Sequence, residues 1–236
     1  ANGMLKRLGL PDRNPGLIRT FIGKGMANLV RRCLTGKHDL NAEPDAELFA
    51  RAMPLYEEIY ARVMHENTSP YPGVVEGLRA LWDAGLRLAC VTNKSEKFTL
   101  PLLEATGLRK FFELVICGDT LPRRKPDPLP LTHACECFGI RPQEIVLIGD
   151  SRNDVEAARA AGCRVLCVPY GYNEGAPVQE LDSDGIVASL LEASNLCRGV
   201  VLPSVGLRQR HIRAGVLREE LRIQLQKRDR IVWSGR

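Results

Sequence analysis

The sequence predicts an α/β fold: a parallel sheet covered by helices, joined to a small all-helical domain. Three observations carry this. After Tyr71, short apolar runs of strand length alternate with amphipathic helical stretches. Residues 1–68 contain no convincing strand. And Ile145-Val-Leu-Ile leads through Gly149 to Asp150, followed by a helix on Val155, Ala158 and Ala161 that Gly162 stops. Strands that alternate with helices assemble as a parallel sheet buried on both faces.

In chain order, helices are expected over the first ten residues, 15–34 and 43–65. Tyr71-Pro72-Gly73 is a turn signal, and Val74–Ala84 is an amphipathic helix ending at Gly85. Leu86–Val91 reads as a strand, Lys97–Thr106 as a helix closed by Gly107, and Leu114–Cys117 as a second strand. A proline-rich loop from Pro122 to Pro130 precedes a helix over Leu131–Phe138. The strand at 145–148 and a fourth at Arg164–Val168, ended by Pro169, complete the series. The resulting division is a helical domain at 1–68, an α/β core at 69–197 and an extension at 198–236, either disordered or part helix. No internal repeat is visible.

Composition narrows the function classes. With 44% hydrophobic and 26% charged residues over 236 positions, the chain is that of an ordinary globular protein. No apolar run approaches the roughly 18 residues of a membrane helix, and no secretory signal is visible. Eight cysteines include no Cys-x-x-Cys pair, and several sit in apolar runs, so buried free thiols in a reducing cytoplasm are expected. Cys135-Glu-Cys137 has no neighbours to complete a soft-metal site. The net charge of +5 belongs to the tail: residues 198–236 hold ten Lys or Arg against three Asp or Glu. Within it, Ile212, Val216, Leu217, Leu221 and Leu225 mark a possible amphipathic helix.

Three strand ends carry chemistry. Val91-Thr92-Asn93-Lys94 brings a hydroxyl and an amide out of an apolar strand; Thr92 suits a phosphoryl oxygen or a helix cap. Arg123-Arg124-Lys125-Pro126 places an ammonium on backbone biased to an extended form by the following proline, unless this is simply a solvated basic loop. Asp150 and Asp154 project from a strand end and the first turn of a helix, the edge where ligands bind in open α/β sheets. Two carboxylates there suit magnesium, a hard cation that keeps several waters; helix capping by Asp150 is the other reading.

In this order the motifs resemble those of the haloacid dehalogenase superfamily of phosphatases: Thr92 its second, Lys125 its third, and Gly149-Asp150-Ser151-Arg-Asn-Asp154 its fourth. Arg19-Thr-Phe-Ile-Gly-Lys-Gly25, Tyr71-Pro-Gly-Val, Cys90-Val-Thr-Asn-Lys94, Gly118-Asp-Thr-Leu-Pro122 and Val168-Pro-Tyr-Gly-Tyr172 resemble the phosphoglycolate phosphatase branch. The resemblance implies a Rossmann-like core with a helical cap that closes over a small phosphorylated acid. It implies magnesium-dependent hydrolysis of 2-phosphoglycolate through an aspartyl-phosphate. Thr92 would hydrogen-bond the transferring group, with Asn93 beside it, and Lys125 would neutralise developing charge. Asp150 would ligate magnesium, and Asp154 would ligate it or orient its waters. Gly23, Lys24 and Gly25 would form a tight cap loop at the substrate, with Lys24 pairing its carboxylate or remaining solvated.

One motif departs from the family. Its N-terminal strand ending in Asp-x-Asp-Gly-Thr, the source of the nucleophile, is absent from the sequence, and Asp12 and Asp39 follow no strand. The expectation is a fragment without turnover. Its sheet, missing a central strand, should expose apolar backbone edges and make the chain unstable. Two other readings stay open: a phosphatase of another small phosphate ester, and a catalytically dead binding protein that recruits an anionic partner through its basic tail. No RNA- or DNA-binding signature accompanies the tail, so nucleic acid is not the expected partner.

Overall fold

The computed structural model describes residues 1–199, apart from Leu40, His65 and Asn67, together with 230–233. The first four helices, α1 (Asn2–Arg7), α2 (Pro15–Thr20), α3 (Met26–Thr35) and α4 (Ala46–Val63), pack around an apolar core of their own, including Met4, Leu5, Phe21, Val30, Cys33 and Ala52. Asp45 caps α4 by accepting a hydrogen bond from the Leu48 amide (2.8 Å). The helix expected over 15–34 is two helices. Gly23 and Gly25, at φ 141° and 85°, break it and let the chain loop between α2 and α3.

The core follows as α5 (Val74–Asp83), β1 (Leu88–Val91), α6 (Glu96–Ala105), β2 (Leu114–Ile116), α7 (Leu129–Phe138), β3 (Ile145–Gly149), α8 (Arg152–Ala161), β4 (Arg164–Cys167), β5 (Gly185–Ile186) and α9 (Leu190–Gly199). Period-two alternation sends Leu88 and Cys90 to one face of β1, with Leu78, Leu81 and Leu190 of α5 and α9. Ala89 and Val91 face the other way, onto Leu131 of α7 and Ala158 of α8. Both faces are thus covered, which is why the strands read as continuous apolar runs. β5 is a two-residue edge strand that the sequence did not signal. No helix among the described residues is long and apolar enough to cross a membrane.

The sixth strand overturns an expectation. Arg230–Trp233 forms β6, and the sheet order is β2-β1-β6-β3-β4-β5 with every neighbouring pair parallel. The slot between β1 and β3 is filled by the chain's own tail, so no backbone edge is left open in the middle of the sheet. Arg230–Trp233 therefore belong to the sheet, where the sequence put them outside it. The helix expected over 212–225 lies outside the described residues. Trp233 is level with Cys90 and Ile148, two residues short of Thr92 and Asp150.

Candidate active site

The carboxyl ends of β1 and β3 bring the expected residues together. Lys125, on the loop entering α7, is 4% exposed, and its ammonium makes two short bonds. It donates to the Val91 carbonyl at the end of β1 (2.6 Å) and to Asp154 Oδ1 in the first turn of α8 (2.7 Å). Thr92, the next residue after Val91, is also buried, and its hydroxyl oxygen accepts from the Lys94 amide (3.2 Å). That leaves the hydroxyl proton to be donated elsewhere. The basic-loop reading of Lys125 is therefore excluded by its burial.

Asp154 is more tightly engaged than a metal ligand needs to be. Its Oδ2 accepts from the Ser151 hydroxyl (2.7 Å), the Ser151 amide (3.0 Å) and the Asp150 amide (3.1 Å). Burial works to raise the Asp154 carboxyl; the Lys125 ammonium and these donors outweigh it and hold it below the ordinary carboxylate value. Gly149 permits this packing, since a side chain there would meet Asp154 Cβ at 2.5 Å.

Asp150 is less buried and faces the loop after β4. Its Oδ2 accepts from the Tyr172 amide (3.1 Å). A Cβ on Gly171, whose φ is 125°, would lie 2.0 Å from that oxygen, so only glycine fits. A cavity of about 180 Å³ opens here between Asp150, the 169–176 loop and Arg19 of the cap.

Cap and core meet at the glycine loop. The Gly23 carbonyl accepts from the Asn93 and Asn153 side-chain amides (3.3 and 3.4 Å), and Asn93 also donates to the Lys125 carbonyl (2.8 Å). Asn93 Oδ1 is buried with no hydrogen-bond partner among the described residues. Lys24 is half-buried in this loop, and its ammonium makes no ion pair with a described residue. Arg124 lies against Gly25, where an added Cβ would meet its Nη1 at 2.4 Å.

Several contributors were not singled out from sequence. Ser151 was legible in principle, since Ser-x-x-Asp ahead of a helix is capping-box spacing. Asn153 and Arg124 lie within the quoted motifs, but nothing local marks their contact with the cap. The Arg32–Glu174 ion pair (2.7 Å) joins α3 to the loop after β4, across a sequence separation no local pattern reports. Asp182 and Asp184, just ahead of β5, both pair with Arg159 (3.2 and 2.9 Å).

The chain is similar in sequence and fold to known proteins. The family model described as haloacid dehalogenase-like hydrolase matches residues 1–168. The phosphoglycolate phosphatase of Nitrosospira multiformis is 58% identical over 196 residues, covering 83% of this chain and 86% of its own. That of Thiobacillus denitrificans is 56% identical over 191 residues, covering 81% and 83%. The crystal structure of a predicted phosphoglycolate phosphatase from Haemophilus somnus superposes with a TM-score of 0.78 at 33% identity, covering 83% and 87%.

Proposed function

The chain belongs to the haloacid dehalogenase-like hydrolase family, and on that premise we propose that its site takes 2-phosphoglycolate, with magnesium, as a phosphatase of that ester. The observation that carries this reading is the buried Lys125 ammonium between Val91 and Asp154, next to the Thr92 hydroxyl. An ammonium and a hydroxyl donor at the ligand-binding edge of a parallel sheet suit the equatorial oxygens of a phosphoryl group. The relatives named phosphoglycolate phosphatase support the choice of ester.

The donor set fits magnesium. Asp150 supplies a carboxylate at the sheet edge, and Asp154, both of whose oxygens already accept hydrogen bonds, would act through waters. Magnesium keeps waters and phosphate in its shell, so one direct carboxylate from the protein is enough. When bound, magnesium offsets repulsion between the phosphate and an attacking carboxylate.

The protein's own groups divide the remaining work. Thr92 donates to a phosphoryl oxygen. Lys125 neutralises charge that develops there, and Asp154 holds Lys125 in place. Lys24 takes the carboxylate of the acid, while the Gly23 carbonyl, held by Asn93 and Asn153, seats the cap loop and keeps water out. The free state of all eight cysteines supports a cytoplasmic setting.

The sequence holds no Asp-x-Asp-Gly-Thr, and Arg230–Trp233 brings no carboxylate to the central strand. We therefore expect these 236 residues to bind the ester without turning it over. Titration calorimetry with 2-phosphoglycolate and a panel of other small phosphate esters, with and without magnesium, tests the ligand. Tighter binding of another ester would reassign the substrate. A phosphate-release assay on the same sample tests silence, and magnesium-dependent turnover there would overturn it.

A further inference from the structure

Two of the eight cysteines face each other where α7 packs on α8. Cys135 lies on α7 and Cys163 on the turn between α8 and β4, in the same apolar core as Leu131 and Ala158. They are 5% and 3% exposed, and their thiols share a hydrogen bond. Cys163 belongs to neither α8 nor β4, so its side chain can turn toward Cys135 without unwinding either. The pair also has an approach from solvent. Cys135 lines an open cleft of about 490 Å³ with Thr132, Glu136, Gly139 and Pro142, ample for an oxidant little larger than water. The two sulfurs are unequal. The bond from Cys163, helped by the backbone amide of Cys135, outweighs burial and holds the Cys135 thiol below its ordinary value. Donating that bond, together with burial, holds the Cys163 thiol up. Cys90 and Cys167 are pushed up to about 12, chiefly by burial, as inert core thiols are. Cys137 is the exposed competitor on α7, its Sγ 3.5 Å from His133 Nε2.

We propose that Cys135 and Cys163 are a peroxide-sensitive redox pair, which closes to a disulfide between α7 and the turn entering β4. The Cys135 sulfur, as thiolate, attacks one oxygen of hydrogen peroxide. The S–O bond forms, the O–O bond breaks, and the departing hydroxide takes a proton to become water, leaving a sulfenic acid on Cys135. The Cys163 sulfur then attacks the Cys135 sulfur. The S–S bond forms, the S–O bond breaks, and hydroxide leaves with the Cys163 proton as a second water. Two thiols have lost two electrons, and one peroxide has been reduced to two waters. The covalent loop so closed, 135–163, contains β3, Asp150 and Asp154. The bridge therefore braces the strand and helix that present both site carboxylates, and a thiol reductant releases them.

The test treats the full chain with a small excess of hydrogen peroxide, alkylates the remaining thiols in denaturant and digests without reductant. A peptide pair joining Cys135 to Cys163, two hydrogens lighter than the sum of its parts and split by dithiothreitol, is the expected product. The bridged chain should melt at least about 4 °C above the reduced one and return to the reduced value with dithiothreitol. Cys137→Ser should bridge as fast as the unaltered chain. Cys163→Ala should stop at a sulfenic acid on Cys135 that dimedone traps. Cys135 and Cys163 both still alkylated after Cys137 is fully oxidised would overturn the proposal. So would a bridge from Cys135 to Cys137 or between two copies, or an unchanged melting temperature. If Cys163→Ala does not fold, the peptide map of the unaltered chain decides alone.

Discussion

Replacing Lys125 by methionine keeps most of the stem and deletes one charge from the most buried ion pair among the described residues. The partners are 2.7 Å apart, with side chains 4% and 3% exposed. Removing one member of such a pair costs about 3–5 kcal/mol, because the other charge stays buried without compensation. The Val91 carbonyl also loses its bond from the ammonium. Against this, Asp154 keeps three donors, from Ser151 and the Asp150 amide, so the lower end of the range, about 3 kcal/mol, is expected. The sign with pH follows from linkage. In the unaltered chain the Asp154 carboxyl lies below its ordinary value of 3.8, so its contribution is full above that value and lost as pH falls through the folded pKa. In K125M the burial that works against ionisation is no longer outweighed, the carboxyl rises, and protonation relieves the unpaired charge. The stability gap between the two chains should therefore be widest near neutrality and shrink as pH falls toward 4. Urea unfolding at several pH values measures it. A gap under about 1 kcal/mol at pH 7, or one that ignores pH, would refute the reasoning, since neither is compatible with a buried pair.

Gly171→Ala should displace Asp150 and weaken magnesium-dependent binding of 2-phosphoglycolate at least tenfold in calorimetry, with roughly 1–3 kcal/mol of backbone strain in stability. Asp150→Asn should remove the effect of magnesium on that binding and leave the magnesium-free component; an unchanged magnesium effect would exclude Asp150 as the ligand. Ser151→Ala deletes a 2.7 Å bond to a buried carboxylate and should cost about 1.5–3 kcal/mol by urea unfolding. Glu174→Gln leaves the 4%-exposed Arg32 side chain bonded to the Phe21 and His38 carbonyls but without its counter-charge. Faster hydrogen exchange in the 21–25 loop than in the unaltered chain is the expected result.

The four principal strands and the residues at their ends were legible because each is a local signal: an apolar run, then a polar residue, then a helix start. Thr92, Lys125, Asp150 and Asp154 meet as their strand ends require. Legibility failed where structure depends on distant partners. The 15–34 stretch has helical periodicity throughout, and only the positive φ at Gly23 and Gly25, which brings that loop to Asn93 and Asn153, reveals the break. Arg230–Trp233 is too short, and too embedded in basic sequence, for its three apolar residues to announce a strand. What makes it one is the pair of open ladders at 88–90 and 145–148. Asp154 stood out by spacing alone, and its bonds from Lys125 and Ser151 needed three dimensions.

The place of β6 in the sheet also bears on how the protein is made. Ribosomes deliver the chain from its N-terminus at about 5–20 residues per second, and domains begin to fold as they emerge. Here the strand in the middle of the sheet is synthesised after all the others. Until residue 233 is available, the β2–β1 ribbon and the β3–β4–β5 ribbon cannot share a ladder, and each presents an open edge to other nascent chains. The cap, whose apolar core comes entirely from early residues, has no such wait. A nonsense codon or a protease cut shortly before residue 230 would thus spare the cap and disable the whole sheet. The α/β half of the molecule thus waits on its last-made strand, and the cap does not.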